Sequence, residues 1–392
     1  MRGDLTLSTA QLGGIFCRMS KQSPLVGIHH ANAAILAEYD GWSLPRHFSE
    51  PHEEYCAVRR AVGLLDLSNR AVLEFTGADR LSYLQGLISN DLRVAPSGEG
   101  IYAAFLSQQG KVLADCRALT TSDSFIVDFW EPLKPKILDH LHRYLVADEV
   151  EIADLTDRYA ILSIQGPKSE TLLEKFVAKD QQPQKTLAHR LAQIGGVETR
   201  ICRNSHTGED GFDLMIPLAD IESVARQLTE AASAYSGGWL GEEAHEMLRI
   251  EAGIPRYGID ITEDNLILET GLTHAVSFNK GCYLGQEVVE RIRSRGHVNK
   301  ALTGLLVHGE KPPVPGCKIL SAEKEIGRIT SSTHSPALES AVALGYVHRD
   351  HRSQGTQVLV RYNDEVLVNA TVTELPFPAT RRNETSRKSL AT

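Results

Sequence analysis

The sequence predicts an α+β fold that ends in a small β domain, and three observations carry that reading. Up to about residue 297, helical periodicities and strand-like runs are mixed without regular βαβ alternation. From 298 to 377 strand candidates follow one another with little helix between them, the texture of a partly closed barrel. A chain of 392 residues also exceeds what one compact core usually organises.

In chain order, residues 1–50 read as a loosely structured lead-in with one helix, Ala31 to Tyr39, that stops at the turn around Gly41-Trp42. A helical pattern returns from Glu53 to Val62. Leu64 to Leu67 and Ala71 to Phe75 read as strands across the turn residues Ser68-Asn69. A helix then starts at Thr76-Gly77-Ala78-Asp79, with Leu81, Leu84 and Leu87 on one face. Ala103 to Phe105, Val112 to Ala118 and Phe125 to Phe129 are strand candidates, followed by a helix from Lys134 to Tyr144. Ala160 to Ile164 is a strand that ends at Gly166-Pro167, where proline suits the first turn of the next helix. Ile221 to Tyr235 and Glu242 to Glu251 are amphipathic helices, the second stopped by Gly253. Five strands follow: Ala301 to Val307, Glu325 to Thr330, Val342 to Val347, Gln357 to Tyr362 and Val366 to Glu374. Asn363-Asp364 makes the last two a hairpin. The polar, basic residues 378–392 read as a disordered tail.

Composition removes several function classes. A net charge of −9 does not suit a protein that coats nucleic acid, so no direct nucleic-acid binding is expected. No apolar run approaches the ~20 residues that cross a bilayer, and no membrane partner is expected. Met1-Arg2-Gly3-Asp4 carries an early acid and no long apolar stretch before Lys21, so a cytoplasmic location is the expectation. Six cysteines lie far apart, without a Cys-x-x-Cys pair that would indicate a zinc knuckle or a redox motif. The glycine fingerprint of a dinucleotide site, a phosphate loop, a nucleophile elbow and a zinc-protease helix are all absent.

The most specific stretch is Lys280-Gly281-Cys282-Tyr283-Leu284-Gly285-Gln286-Glu287, a glycine-punctuated loop that runs into a helix with Val288, Val289 and Ile292 on its buried side. A thiol ahead of a helix N-terminus and beside Lys280 is a candidate nucleophile, metal ligand or redox-sensitive group. A small buried core cysteine fits the same spacing. Behind it, Arg291, Arg293, Arg295 and Lys300 form a basic face, read first as an ordinary solvated one and alternatively as a dock for an acidic partner protein or RNA.

The Lys-Gly-Cys-Tyr-x-Gly-Gln-Glu run resembles the diagnostic motif of the YgfZ family of iron–sulfur-maintenance proteins. Almost the whole chain, residues 25 to 377, resembles the wider glycine-cleavage T-protein superfamily. The matches include Gly41-Trp42-Ser43-Leu44-Pro45, Thr207-Gly208-Glu209-Asp210-Gly211, Arg249-Ile250-Glu251-Ala252-Gly253 and Leu344-Gly345-Tyr346-Val347. The resemblance implies a three-domain ring around tetrahydrofolate. Residues 25–297 would form two interleaved α+β domains and 298–377 the barrel.

It also implies site residues. A carboxylate can accept from the adjacent N–H donors of a pterin edge, as acids do for base edges, and Glu209 matches the superfamily's pterin-binding glutamate. Arg249 would bind a folate carbonyl or carboxylate through its planar fork, or pair with His245 or Glu246 on a solvated face. Asp115 aligns with the acid beside the reactive folate nitrogens, and Cys282 with the cysteine of the YgfZ loop. Two departures stand out. Ser205-His206 replaces the usual Gly-Tyr, and Ala114-Asp115 the usual pair of acids. The first functional expectation is therefore a tetrahydrofolate-binding factor that supports iron–sulfur enzymes or assembly proteins, and through them tRNA modification. The alternative is an aminomethyl- or methyltransferase that takes a one-carbon unit from a lipoylated carrier protein or a small amine.

Overall fold

The computed structural model describes residues 20–363 and 366–378. Strands from residues 70–154 form a five-stranded sheet: Gly100–Leu106, Val112–Thr120, Phe125–Trp130, Arg70–Thr76 and Glu151–Asp154, in that spatial order. The helices Arg80–Leu87 and Lys134–Tyr144 contribute Leu84 and Leu141 to its core, beside Phe75, Phe105 and Phe129. This segment is inserted between Gly63–Asp66 and Tyr159–Gln165, which pair antiparallel in a six-stranded sheet. The amphipathic helix Ile221–Ser233 joins Leu64, Leu162 and Phe212 in the core of that sheet through Val224 and Leu228. Apolar residues of both sheets, among them Leu65, Val72, Ile126 and Ile161, meet Tyr55 and Leu248 in a shared layer. Burial on this scale is what fixes the two sheets against each other.

The C-terminal strands close completely. Lys300–Val307 pairs antiparallel with both Ser340–His348 and Leu367–Thr373, so the expected partly closed barrel is a closed six-stranded one without free edges. The strand Lys318–Ser321, which the sequence reading passed over, completes it. The barrel is tied to the helix Glu242–Glu251 by a Phe377 N–H to Glu251 carbonyl bond of 3.0 Å. Gly253, at φ +69°, ends that segment, and a Cβ there would lie 2.7 Å from Leu375.

One early element differs. The expected helix Ala31 to Tyr39 is two structures: a helix Val26–Ala31, then a hairpin of Ile35–Tyr39 with Trp42–His47. Asp40 and Gly41 turn the chain at φ +53° and +82°, which matches the Asp-Gly signature of a tight hairpin. That signal outweighs the weak helical spacing of a short Ala/Leu run. On the helix Arg80–Leu87, Tyr83, Leu84 and Leu87 face the core while Leu81 is 40% exposed, so the apolar face is rotated from the one expected. The expected tail beyond Pro378 and the second residue of the Asn363-Asp364 turn lie outside the described residues. Among those described, no helix is long and apolar enough to cross a membrane.

Candidate functional site

A cavity of about 970 Å³ opens where the two sheets, the helix Glu242–Glu251 and the barrel meet. Asp115 and Arg117 reach it from the strand Val112–Thr120, because alternation sends Ala114, Cys116 and Ala118 into the core behind. Tyr102, on the neighbouring strand and the same face, donates its hydroxyl to Asp115 Oδ2 at 2.5 Å. Burial and the Asp115 charge push the Tyr102 phenol well above its ordinary pKa, so it remains a donor at neutral pH. No second hydrogen bond to Asp115 is made among the described residues, which leaves Oδ1 for a ligand.

Aromatic faces surround this acid. His274 lies 5.3 Å from the Tyr102 ring, and burial lowers its pKa so that it is neutral. Trp130 and Tyr257 sit 6.0 Å apart on the cavity wall. Trp130 Nε1 is buried with no acceptor among the described residues.

Behind Asp115 runs a chain of ion pairs that sequence reasoning missed. Arg117 donates Nε to both oxygens of Asp128 at 3.0 Å, and Nη1 to Asp213 Oδ2. Arg70 holds the far side of Asp128 through its Nε. His206 Nε2 lies 3.0 Å from Asp213 Oδ2, and Asn204 Nδ2 donates to the same oxygen at 3.0 Å. Burial disfavours ionisation of Asp213, but His206 and Arg117 more than offset it and hold the carboxyl well below the usual range. Burial likewise lowers the His206 pKa, which keeps the imidazole neutral. The one signal for this network was Asp213 itself, the only acid in the apolar strand Gly211–Pro217.

Arg249 lines the same cavity, only 2% exposed, so the solvated-face alternative does not apply. Its five N–H groups are all engaged. Nε and Nη2 reach the two Glu246 oxygens at 2.6 Å. Nη1 donates to Asp260 at 2.8 Å and to the Ile254 carbonyl at 3.1 Å, while Nη2 also reaches Ser331 Oγ at 2.9 Å. A guanidinium with five donors can give no more. Arg249 therefore locks helix, loop and barrel together around the cavity.

The structure brings Asp115 and Arg249 to one cavity and places Glu209 and Cys282 elsewhere. Glu209 lies in a separate pocket of about 500 Å³ with Tyr55 and Cys56. It is 2% exposed and accepts Arg59 Nη1 at 2.7 Å, while Arg59 Nη2 spans to Glu251 at 2.5 Å. Its neighbour Asp210 accepts from Arg203 Nη2 at 2.9 Å.

Cys282 is exposed, unlike the buried Cys116, Cys202 and Cys317. Lys280 turns inward and donates to the carbonyls of Gln85, Ile88 and Asn90 at 2.7, 2.7 and 2.8 Å. Burial lowers its pKa to about 7. Its charge is thus directed at the end of the helix Arg80–Leu87 rather than committed to the thiol. Tyr283 is 7% exposed and Gly285 takes φ +83°, so the loop is anchored on both sides of an outward-facing thiol. In the helix Gln286–Arg295 only Val289 is fully buried, with Val288 and Ile292 half-buried and the arginines exposed. Among the described residues, no group of three or more His, Cys, Asp or Glu side chains is arranged to hold a metal ion.

Comparison with known proteins agrees with this architecture. The GCVT N-terminal domain family matches residues 25–280, and the glycine cleavage T-protein C-terminal barrel domain family matches 300–378. The chain is similar to an aminomethyltransferase of Rubrobacter xylanophilus, 33% identical over 365 residues that span 93% of this chain and 96% of that one. The aminomethyltransferase of Bacillus subtilis is 30% identical over 362 residues, 92% of this chain and 99% of its own. The crystal structure of glycine cleavage system aminomethyltransferase T from Bartonella henselae superposes with a TM-score of 0.84 at 23% identity, covering 92% of this chain and 98% of that one. That last likeness concerns the fold.

Proposed function

The chain belongs to the glycine-cleavage T-protein family, and from that premise we propose that it binds tetrahydrofolate in the central cavity and transfers a one-carbon unit there, as an aminomethyltransferase does. The observation that carries the reading is Asp115, an acid fixed by a neutral donor, with one oxygen left over, inside an aromatic-walled cavity.

The residues present fit the cofactor of the family. A cavity of about 970 Å³ is ample for a pterin with its benzoylglutamate extension. Tyr102, Trp130, Tyr257 and His274 offer ring faces, and the buried Trp130 Nε1 is a donor without an acceptor among the described residues. When bound, tetrahydrofolate supplies the nitrogens that accept the one-carbon unit. Asp115 Oδ1 would hold an N–H of the ligand and take or return a proton there, while Tyr102 keeps the carboxylate from rotating. The Arg117–Asp213–His206 chain stiffens the wall, since each member is already satisfied and cannot swing to meet a misplaced ligand. Arg249 holds the opposite wall closed against the barrel and limits water entry. The donor would be a lipoylated carrier protein or a small amine.

The test is formation of methylene-tetrahydrofolate from an aminomethyl-lipoyl donor. Turnover at ordinary enzyme rates, ~1–1000 per second, supports the reading. Tight folate binding without turnover would leave only the binding half.

A second reading rests on one specific feature, the outward thiol of Cys282 between two buried anchors. It makes the chain a YgfZ-type factor that supports iron–sulfur enzymes through that loop. The expected result is fast alkylation of Cys282 in the native state, with Cys116 and Cys202 inert, and loss of complementation by Cys282→Ser. A fully complementing serine variant removes this reading and leaves the first untouched.

A further inference from the structure

The arginines that line the central cavity divide into two kinds. Arg70, Arg117, Arg249 and Arg256 are each bound to acids of the protein, Asp128, Asp213, Glu246, Asp260 and Glu242 among them. Their charge is cancelled in place. Arg352 is different. It follows the short turn Arg349–His351 of the barrel, is half-buried, lines the same cavity, and makes no hydrogen bond or ion pair among the described residues. Its neighbours do not compete for that role. Arg349 is held against His297 and Asp350, and Lys300 lies over the Tyr346 ring at 5.1 Å. The acid on the same rim, Glu374, is engaged in an interaction of its own.

The cavity is therefore polarised along its length. Its sheet wall carries aromatic faces and a single carboxylate oxygen left for an N–H donor. Its barrel rim carries a guanidinium whose five N–H groups match a planar anion. A ligand complementary to both has a donor-bearing flat head and a carboxylate tail. We propose that Arg352 binds the tail carboxylates of the reduced folate and so selects for the intact glutamyl tail. The inference rests on the folate reading above and assigns it a second contact, on the barrel side of the cavity. Arg352 touches the ligand remote from the reacting nitrogens, so its contribution is to affinity and placement.

Calorimetry of the full chain with two probes tests it: tetrahydrofolate, and the α,γ-diamide of tetrahydrofolate, which keeps the shape of the tail and removes its charge. The wild type is expected to prefer tetrahydrofolate by about tenfold, the size of one charge-assisted contact. That preference should shrink as salt is raised. Arg352→Gln should bind both probes alike, at the affinity the wild type shows for the diamide, and Arg352→Lys should recover part of the preference. Equal affinity of wild type and Arg352→Gln for tetrahydrofolate overturns the assignment while the folate reading stands. Loss of both probes in Arg352→Gln and Arg352→Lys alike overturns it in favour of a purely structural role. Failure of the wild type to bind either probe removes the folate reading and this inference with it.

Discussion

Asp115 and Glu209 are both carboxylates that the sequence singles out, and the protein treats them in opposite ways. Asp115 stands on a cavity wall with a neutral phenol as partner and one oxygen unspent. Glu209 is nine-tenths and more buried against Arg59, which it shares with Glu251. A buried acid matched by a guanidinium is already neutralised, and opening it to a ligand would strand a charge in low dielectric. A half-buried acid matched only by a hydroxyl keeps an oxygen for a ligand. The partner, more than the acid, separates the carboxylate with an oxygen to spare from the one already matched.

That contrast can be broken or sharpened by experiment, with the largest effect expected at Asp115. Asp115→Asn retains an acceptor for Tyr102 but loses the proton-exchanging oxygen. One-carbon transfer should fall by about 10²–10⁴-fold with thermal stability nearly unchanged. Steady-state kinetics beside a melting curve would check it, and full activity in the variant would sink the role given to Asp115.

Next in size is the wall behind it. Arg117→Met leaves Asp213 without its guanidinium and Asp128 with Arg70 alone, which should cost about 3–5 kcal/mol in urea unfolding. A loss below about 1 kcal/mol would mean that the network adds little.

Glu209→Gln should cost about 1–3 kcal/mol of stability through the weakened Arg59 pair, while folate affinity stays put. If calorimetry instead shows a large loss of folate affinity with stability intact, the two acids have been assigned the wrong way round.

The last effect is a slope with pH and concerns Lys280, whose folded pKa of about 7 lies below its ordinary 10.5 because it is buried. Within that window the unfolded chain keeps a proton that the folded one has released. Unfolding therefore takes up a proton, and the stability difference between wild type and Lys280→Met should rise with pH, by at most about 1.4 kcal/mol per unit. Urea titrations at about pH 6, 8 and 9.5 would read it. A difference that stays flat or falls with pH would contradict the buried, carbonyl-bound placement of the amine.

Legibility followed the physics of each segment. Lys134–Tyr144 and Glu242–Glu251 could be read with their observed bounds because long amphipathic helices announce themselves through period and end signals. The strands His189–Ile194, Val197–Arg203 and Gly211–Pro217 were not read, although all three belong to the six-stranded sheet. The first is its edge strand and the second lies next to it, and both mix charged with apolar residues, so their alternation is faint. At the site, Asp115 and Arg249 were named from the sequence and share the cavity, whereas Asp213, His206 as its partner, Tyr102 and Arg352 were not recognised as members. Only Asp213, the one acid of an apolar strand, carries a local signal among them. Tyr102 takes its role from Asp115, 13 positions on, His206 from Asp213, 7 positions on, and Arg117 from Asp213, 96 positions on.

The sequence by itself determined the class of fold, the all-β texture of the last domain and the family to which the chain belongs, because these depend on local period, turn chemistry and extended motif matches. Tertiary structure alone decided which charged groups are spent and which remain. Whether Glu209 faces a ligand or Arg59, whether Lys280 serves the thiol or three carbonyls, and whether Arg352 has a partner are settled by contacts between residues many positions apart. Composition and spacing carry no trace of such pairings, since the free energy of a buried charge is set by what surrounds it in space.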